Sequence, residues 1–93
     1  MTHITAEGIV ESQGQVPEEA QVENARKWLR EMTHVSPRIN RNRTSYGWKH
    51  VAEKYTGNYI SNGALIQAAL LENLKVQHAK GTPNAFINIK ERT

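Results

Sequence analysis

The sequence predicts a mainly α domain closed by a C-terminal β-hairpin. Between residues 17 and 73 apolar side chains recur at helical spacing in three successive segments, and beyond Leu74 the period shortens to two on either side of a turn containing Gly81 and Pro83. A third observation bears on what the domain meets. Residues 1–37 hold six Glu against three basic residues, while residues 38–93 hold nine Lys/Arg against three Glu, so the net charge of +3 divides into −3 and +6. Such a sign asymmetry points to a polyanion as partner of the second part. Ninety-three residues suffice for one domain with one small core.

Residues 1–16 carry Gly8, Gly14 and scattered Ser, Thr and Gln with only Ile4, Ile9 and Val10 as sizeable apolars, so they read as a flexible arm, with Ile4 to Val10 as the one stretch able to add a short edge strand. Residues 17–90 form the domain, and 91–93 a tail. Pro17 suits a first helical turn, and Glu18 and Glu19 favour the positive end of the helix dipole. From there Val22, Ala25, Trp28, Leu29 and Met32 make one apolar stripe, so a helix runs to about Thr33, and Ser36-Pro37 closes it because the residue before a proline avoids the helical region. Arg38 to Arg43 then reads as a basic loop holding three guanidiniums. Thr44 or Ser45 caps a second helix with Trp48, Val51, Ala52 and Tyr55 inward, and Gly57-Asn58 stops it. Ser61 or Asn62 caps a third helix to about Asn73. Lys75 to His78 and Ala85 to Ile89 alternate as strands around the turn Lys80 to Asn84, with Val76, Ile87 and Ile89 toward the helices.

Helix, helix, Gly-containing turn, helix and basic-tipped hairpin, from Tyr46 to Asn73 and on to Ile89, resembles the arrangement of a winged helix-turn-helix domain. Tyr59 to Ile66 and Pro83 to Ile89 are also similar to segments of short uncharacterised proteins of phages and other mobile elements. The first resemblance implies a third helix presented to the major groove and a Lys80 turn acting as a wing on the phosphates. By position it then implies base-edge contacts from Ser61, Asn62 and Gln67, and phosphate contacts from Arg38, Arg41, Arg43, Lys49, Lys54, Lys75 and Lys80.

Each signal has a plainer reading. The Arg38, Arg41 and Arg43 cluster could be a solvated loop, but Arg flanked by Asn suits planar recognition of anions. Tyr46 and Trp48 could stack on unpaired bases. The spacing of Trp48 with Val51 and Tyr55 favours core packing for it and leaves Tyr46 and Tyr59 open. The third helix is apolar on nearly all sides and has no Lys or Arg, a pattern of burial or of contact with a protein partner.

Several function classes are excluded. With no Cys there is no disulfide framework and no thiol chemistry, which fits a reducing cytoplasm. The apolar run Ala64 to Leu71 is far shorter than the ~20 residues of a membrane span, so a soluble protein without membrane contact is expected. No signal peptide is read, and the Asn42-Arg43-Thr44 sequon is taken as chance. His3, His34, His50 and His78 lack metal-ligand spacing, and no metal or cofactor is expected. All acids are Glu, His50 with Glu53 is the one acid–base pair at helical spacing, and the chain reads as a non-enzyme.

The sequence therefore points to a small nucleic-acid-binding protein, with duplex DNA as first partner and transcriptional regulation in a phage or mobile element as setting. The competing expectation is a phage-type inhibitor or adaptor, for example an anti-defence protein, that acts on a host complex through the apolar third helix. A homodimer through Leu70, Leu71 and Leu74 is compatible with either.

Overall fold

In the computed structural model, which describes residues 2–92, three helices pack with two antiparallel sheets. Strands β1 (His3–Thr5) and β2 (Gly8–Val10) form an N-terminal hairpin. Helix α1 (Glu19–Met32) leads directly into β3 (Thr33–Asn40), followed by α2 (Ser45–Thr56), α3 (Asn62–Leu71), β4 (Val76–His78) and β5 (Ala85–Glu91). The second sheet has the order β3-β5-β4. This is an α+β fold, which corrects the expectation of a mainly α domain whose strands are confined to one C-terminal hairpin.

The strands that local reading missed are those whose partners lie far away or whose apolar content is thin. Segment 33–40 looks like a helix stop followed by a basic loop. In the structure Thr33, His34 and Val35 pair with Glu91, Lys90 and Ile89, and Asn40 pairs with Ile87. The register breaks between Val35 and Asn40, around Pro37, which has no N–H to give a ladder and belongs on an edge strand or at a bulge. Ser36-Pro37 does end helical structure, but the ladder that receives it is supplied some fifty residues later.

The N-terminal hairpin falls where an arm was expected, on the stretch Ile4 to Val10 that had some strand character. Its turn lies on the start of α3: Gly63 N–H donates to Ala6 O at 3.1 Å, and Ile9 N–H donates to Pro83 O at 2.8 Å. A Cβ on Gly63 would stand 1.5 Å from Thr5 O, so only glycine permits this approach.

Helix α3 is the centre of the molecule. Ala64, Leu65, Ile66, Ala68 and Ala69 are fully buried among α1, α2 and the N-terminal hairpin. The alanines let neighbouring elements come close, and burial on nearly all sides explains why the helix has no polar face. Val22, Ala25, Trp28 and Leu29 of α1, Trp48 and Ala52 of α2, and Ile87 and Ile89 of β5 complete the core. Trp48 is 3% exposed, so it packs inward. Since Ile87 and Ile89 face the helices, strand alternation turns Phe86, Asn88 and Lys90 to the opposite face. Among the described residues no helix is long and apolar enough to cross a membrane.

Candidate functional site

The face of β3-β5-β4 turned away from the helices gathers basic side chains. His34 is paired with Lys90 and Gln77 with Phe86, which places all four on that face. The Arg41 guanidinium lies over the Phe86 ring, 5.5 Å from its centroid. Lys75 reaches across β5 to donate from Nζ to Pro37 O at 3.4 Å. Beneath it Asn88 joins the three strands: its Oδ1 accepts from Lys75 N at 2.7 Å and its Nδ2 donates to Ser36 O at 3.0 Å. Glu72, paired with Arg26 and Arg30, lines a pocket with His34 at the end of this face. Glu91, next in sequence to Lys90, alternates to the other side and accepts from Arg43 at 2.8 Å.

The sequence-predicted contacts are divided by the fold. Arg38 is exposed on the edge strand, Arg41 and Lys75 belong to the basic face, and Lys80 is exposed in the β4–β5 turn. Arg43 is half engaged, stacked 4.7 Å over Trp48 and paired with Glu91. Lys54 is exposed on α2, away from the face's strands. Gln67 is half-buried within α3.

Ser61 and Asn62, assigned to base edges by position, are 4% and 5% exposed and bonded internally. Ser61 Oγ caps α3 by accepting from Ala64 N at 3.1 Å, and its backbone N–H donates to Gln21 Oε1 at 2.9 Å. Asn62 Oδ1 accepts from Ser45 Oγ at 2.7 Å, while its Nδ2 donates to Glu7 O at 2.9 Å and to Asn84 Oδ1 at 3.0 Å. With the N-terminal hairpin seated on it, the start of α3 presents no base-reading surface.

Lys49, expected on a phosphate, is 5% exposed and belongs to a second feature. Between α2, the β1–β2 turn and the β4–β5 turn lies a cleft of about 680 Å³, lined among others by Tyr46, Lys49, His50, Glu53, Tyr59 and Asn84. Its floor is a chain of polar groups. Glu53 Oε2 accepts from Lys49 Nζ and from Ile60 N, each at 3.1 Å, and Oε1 lies 3.1 Å from His50 Nδ1. Burial alone would raise the Glu53 carboxyl, but the Ile60 N–H, Lys49 and His50 outweigh it and hold the group below its ordinary value. The Lys49 ammonium sits 4.6 Å from the Tyr59 ring centroid and 5.4 Å from that of Tyr46. Both rings are open to solvent, at 64% and 52% exposure, and His50 packs edge-on against Tyr46 at 4.8 Å.

Sequence reasoning did not assemble this cleft because its members lie on three separated segments. The available signal was Ser45, a polar residue three and seven positions before Trp48 and Ala52 and so on the inward side of α2, whose burial is worthwhile only with partners. Among the described residues no group of three or more His, Cys, Asp or Glu is placed to hold a metal ion. Comparisons with family models, curated proteins and solved structures returned no match.

Proposed function

We propose that this protein binds nucleic acid through phosphate contacts on the open face of the β3-β5-β4 sheet, with duplex DNA as the first partner, and that it acts by binding without catalysis. The observation that carries this reading is the gathering of His34, Arg41, Lys75 and Lys90 on one sheet face. A surface with an excess of Lys and Arg attracts a polyanion and releases its counterions. In the chain order α1-β3-α2-α3-β4-β5, β3 is laid along the free edge of β5, which brings residues of all three strands to that face. Ser61 and Asn62 are spent internally, so the reading is of backbone binding without base readout by α3. Sequence-specific regulation of transcription is not part of it. A cytoplasmic site of action goes with the absence of Cys.

The competing reading, a protein-directed inhibitor or adaptor, drew on the apolar character of α3. Packing accounts for that character, since only Leu70 and Leu71 of its large apolar residues are exposed, at 42% and 45%.

The test is fluorescence anisotropy of a random duplex at about 50 and 200 mM salt. Four phosphate contacts give a slope of log K against log salt of about −3 to −4, at roughly −0.9 per contact. Replacing Arg41, Lys75 and Lys90 together by Ala flattens that slope by about 2 to 3 and weakens binding at low salt. An absence of binding at low salt, or an unchanged slope in the triple variant, refutes the assignment and shifts it to a protein-directed role.

A further inference from the structure

The basic face gives phosphates a place but leaves the tyrosine cleft without a task. The cleft does not suit a second phosphate. The charge of Lys49 is already matched by Glu53 at 3.1 Å, and Glu7 adds a negative charge to the lining, so the cleft has no excess positive charge to offer a phosphate. What it offers is aromatic surface. The Lys49 ammonium contacts both rings, so the Tyr46 and Tyr59 centroids stand within about 10 Å of each other, close enough for one planar group to touch both. Large aromatic side chains left half or more open around a concavity are surfaces awaiting a partner.

The groups at the edge of the cleft add direction. Asn84 Oδ1 accepts from Asn62, while its Nδ2 makes no hydrogen bond among the described residues. His50 engages Glu53 through Nδ1 and keeps Nε2 available. The two tyrosine hydroxyls make no hydrogen bond among the described residues and can donate or accept one. Two open rings with donors and acceptors, in a cleft without excess positive charge, match a planar, uncharged heterocycle whose edge carries both kinds of group.

We infer that the Tyr46–Tyr59 cleft takes one unpaired nucleobase by stacking, with Asn84 and His50 bonding its edge. The inference rests on the nucleic-acid reading for its strand, but the base itself comes either from a single strand or from a free nucleotide, and the experiment separates these sources. Stacking depends weakly on salt, whereas phosphate contacts depend on it steeply.

The experiment compares a thymidine homopolymer with an abasic sugar-phosphate strand of equal length, both by anisotropy at one salt concentration. The homopolymer is expected to bind about ten-fold or more tightly than the abasic strand. Tyr46→Ala with Tyr59→Ala removes that gap and leaves the abasic strand unaffected, while Tyr46→Phe with Tyr59→Phe retains it. Since both side chains are exposed, circular dichroism of these variants should match the parent. Equal affinity of the two strands for the parent protein, or a gap that survives the alanine pair, overturns the inference and leaves the basic face standing. If neither strand binds, the duplex titration decides the basic face on its own, and thymidine monophosphate is titrated against ribose 5-phosphate by NMR. Shifts of the Tyr46 and Tyr59 ring protons with the nucleotide alone keep the base site, and their absence overturns it.

Discussion

Replacing Glu53 by Gln removes the only carboxylate that meets the Lys49 ammonium among the described residues, while keeping an oxygen for Ile60 N–H. The side chain of Lys49 is 7% exposed and that of Glu53 19%, so the pair is nearly dry on one side and reached by water on the other. Stranding one member of a fully buried pair costs about 3–5 kcal/mol. Access of water on the Glu53 side brings the expected loss down to about 2–3 kcal/mol. Lys49→Met should cost about 1–2 kcal/mol, because Glu53 keeps Ile60 N–H, His50 and solvent. The double variant replaces the pair by uncharged groups of similar shape and should lie within about 1 kcal/mol of the parent, a coupling of about 2–5 kcal/mol. Urea unfolding at neutral pH, followed through the buried Trp28 and Trp48, gives the four free energies of the cycle. In a domain of this size a loss of 2–3 kcal/mol also lowers Tm by roughly 10–20 °C. A Glu53→Gln cost below about 1 kcal/mol, or a double variant that loses the sum of the two singles, refutes the account of Lys49 as a paired buried charge.

Two further outcomes follow from the same geometry. The Glu53 carboxyl is held below its ordinary value of 4.5 in the folded protein, so its contribution is present above that pH and is lost as pH falls through the folded value. The stability difference between parent and Glu53→Gln should therefore shrink on acidification below about pH 4.5, and a difference that grows there contradicts the sign. Gly63→Ala places a Cβ 1.5 Å from Thr5 O and must displace the N-terminal hairpin, at a cost of at least about 2 kcal/mol. Amide exchange should accelerate in residues 3–10 while α1 stays protected, and unchanged exchange in the hairpin would mean that it is not docked on α3.

Local signals carried the helices well. The stripes of α1 and α2, the αL glycine at position 57 and the serine cap at position 61 are readable because their partners lie within a few residues. The strands β4 and β5 announced themselves by alternation around turn residues. Strand β3 did not, because its ladder partner is distant and Pro37 interrupts its pattern. The hairpin of β1 and β2 is two three-residue strands whose stability comes from contact with α3 and Pro83, which no window over residues 1–16 contains.

The candidate site divides in the same way. Arg41 and Lys75 were marked by charge alone, whereas His34, Lys90 and Phe86 join them only through cross-strand register. Ser61 and Asn62 were assigned outward by their position at a helix start. Folding turned them inward, because a helix N-terminus needs acceptors and the N-terminal hairpin supplied carbonyls there. Lys49 moved from expected phosphate ligand to buried partner of Glu53 for a related reason: its position on α2 faces Tyr59 and Ile60, which the turn after Gly57 brings back.

By itself the sequence determined the three helices, the two C-terminal strands, the charge division between the two parts and the absence of thiol chemistry, all of which depend on composition or on neighbours a few residues apart. Only the tertiary structure decided that His34, Arg41, Lys75 and Lys90 share one sheet face, that α3 is the core and not a presented helix, and that two tyrosines line a cleft. Those outcomes depend on strand register and on which surface of each element another element covers, and both are set by contacts between segments tens of residues apart.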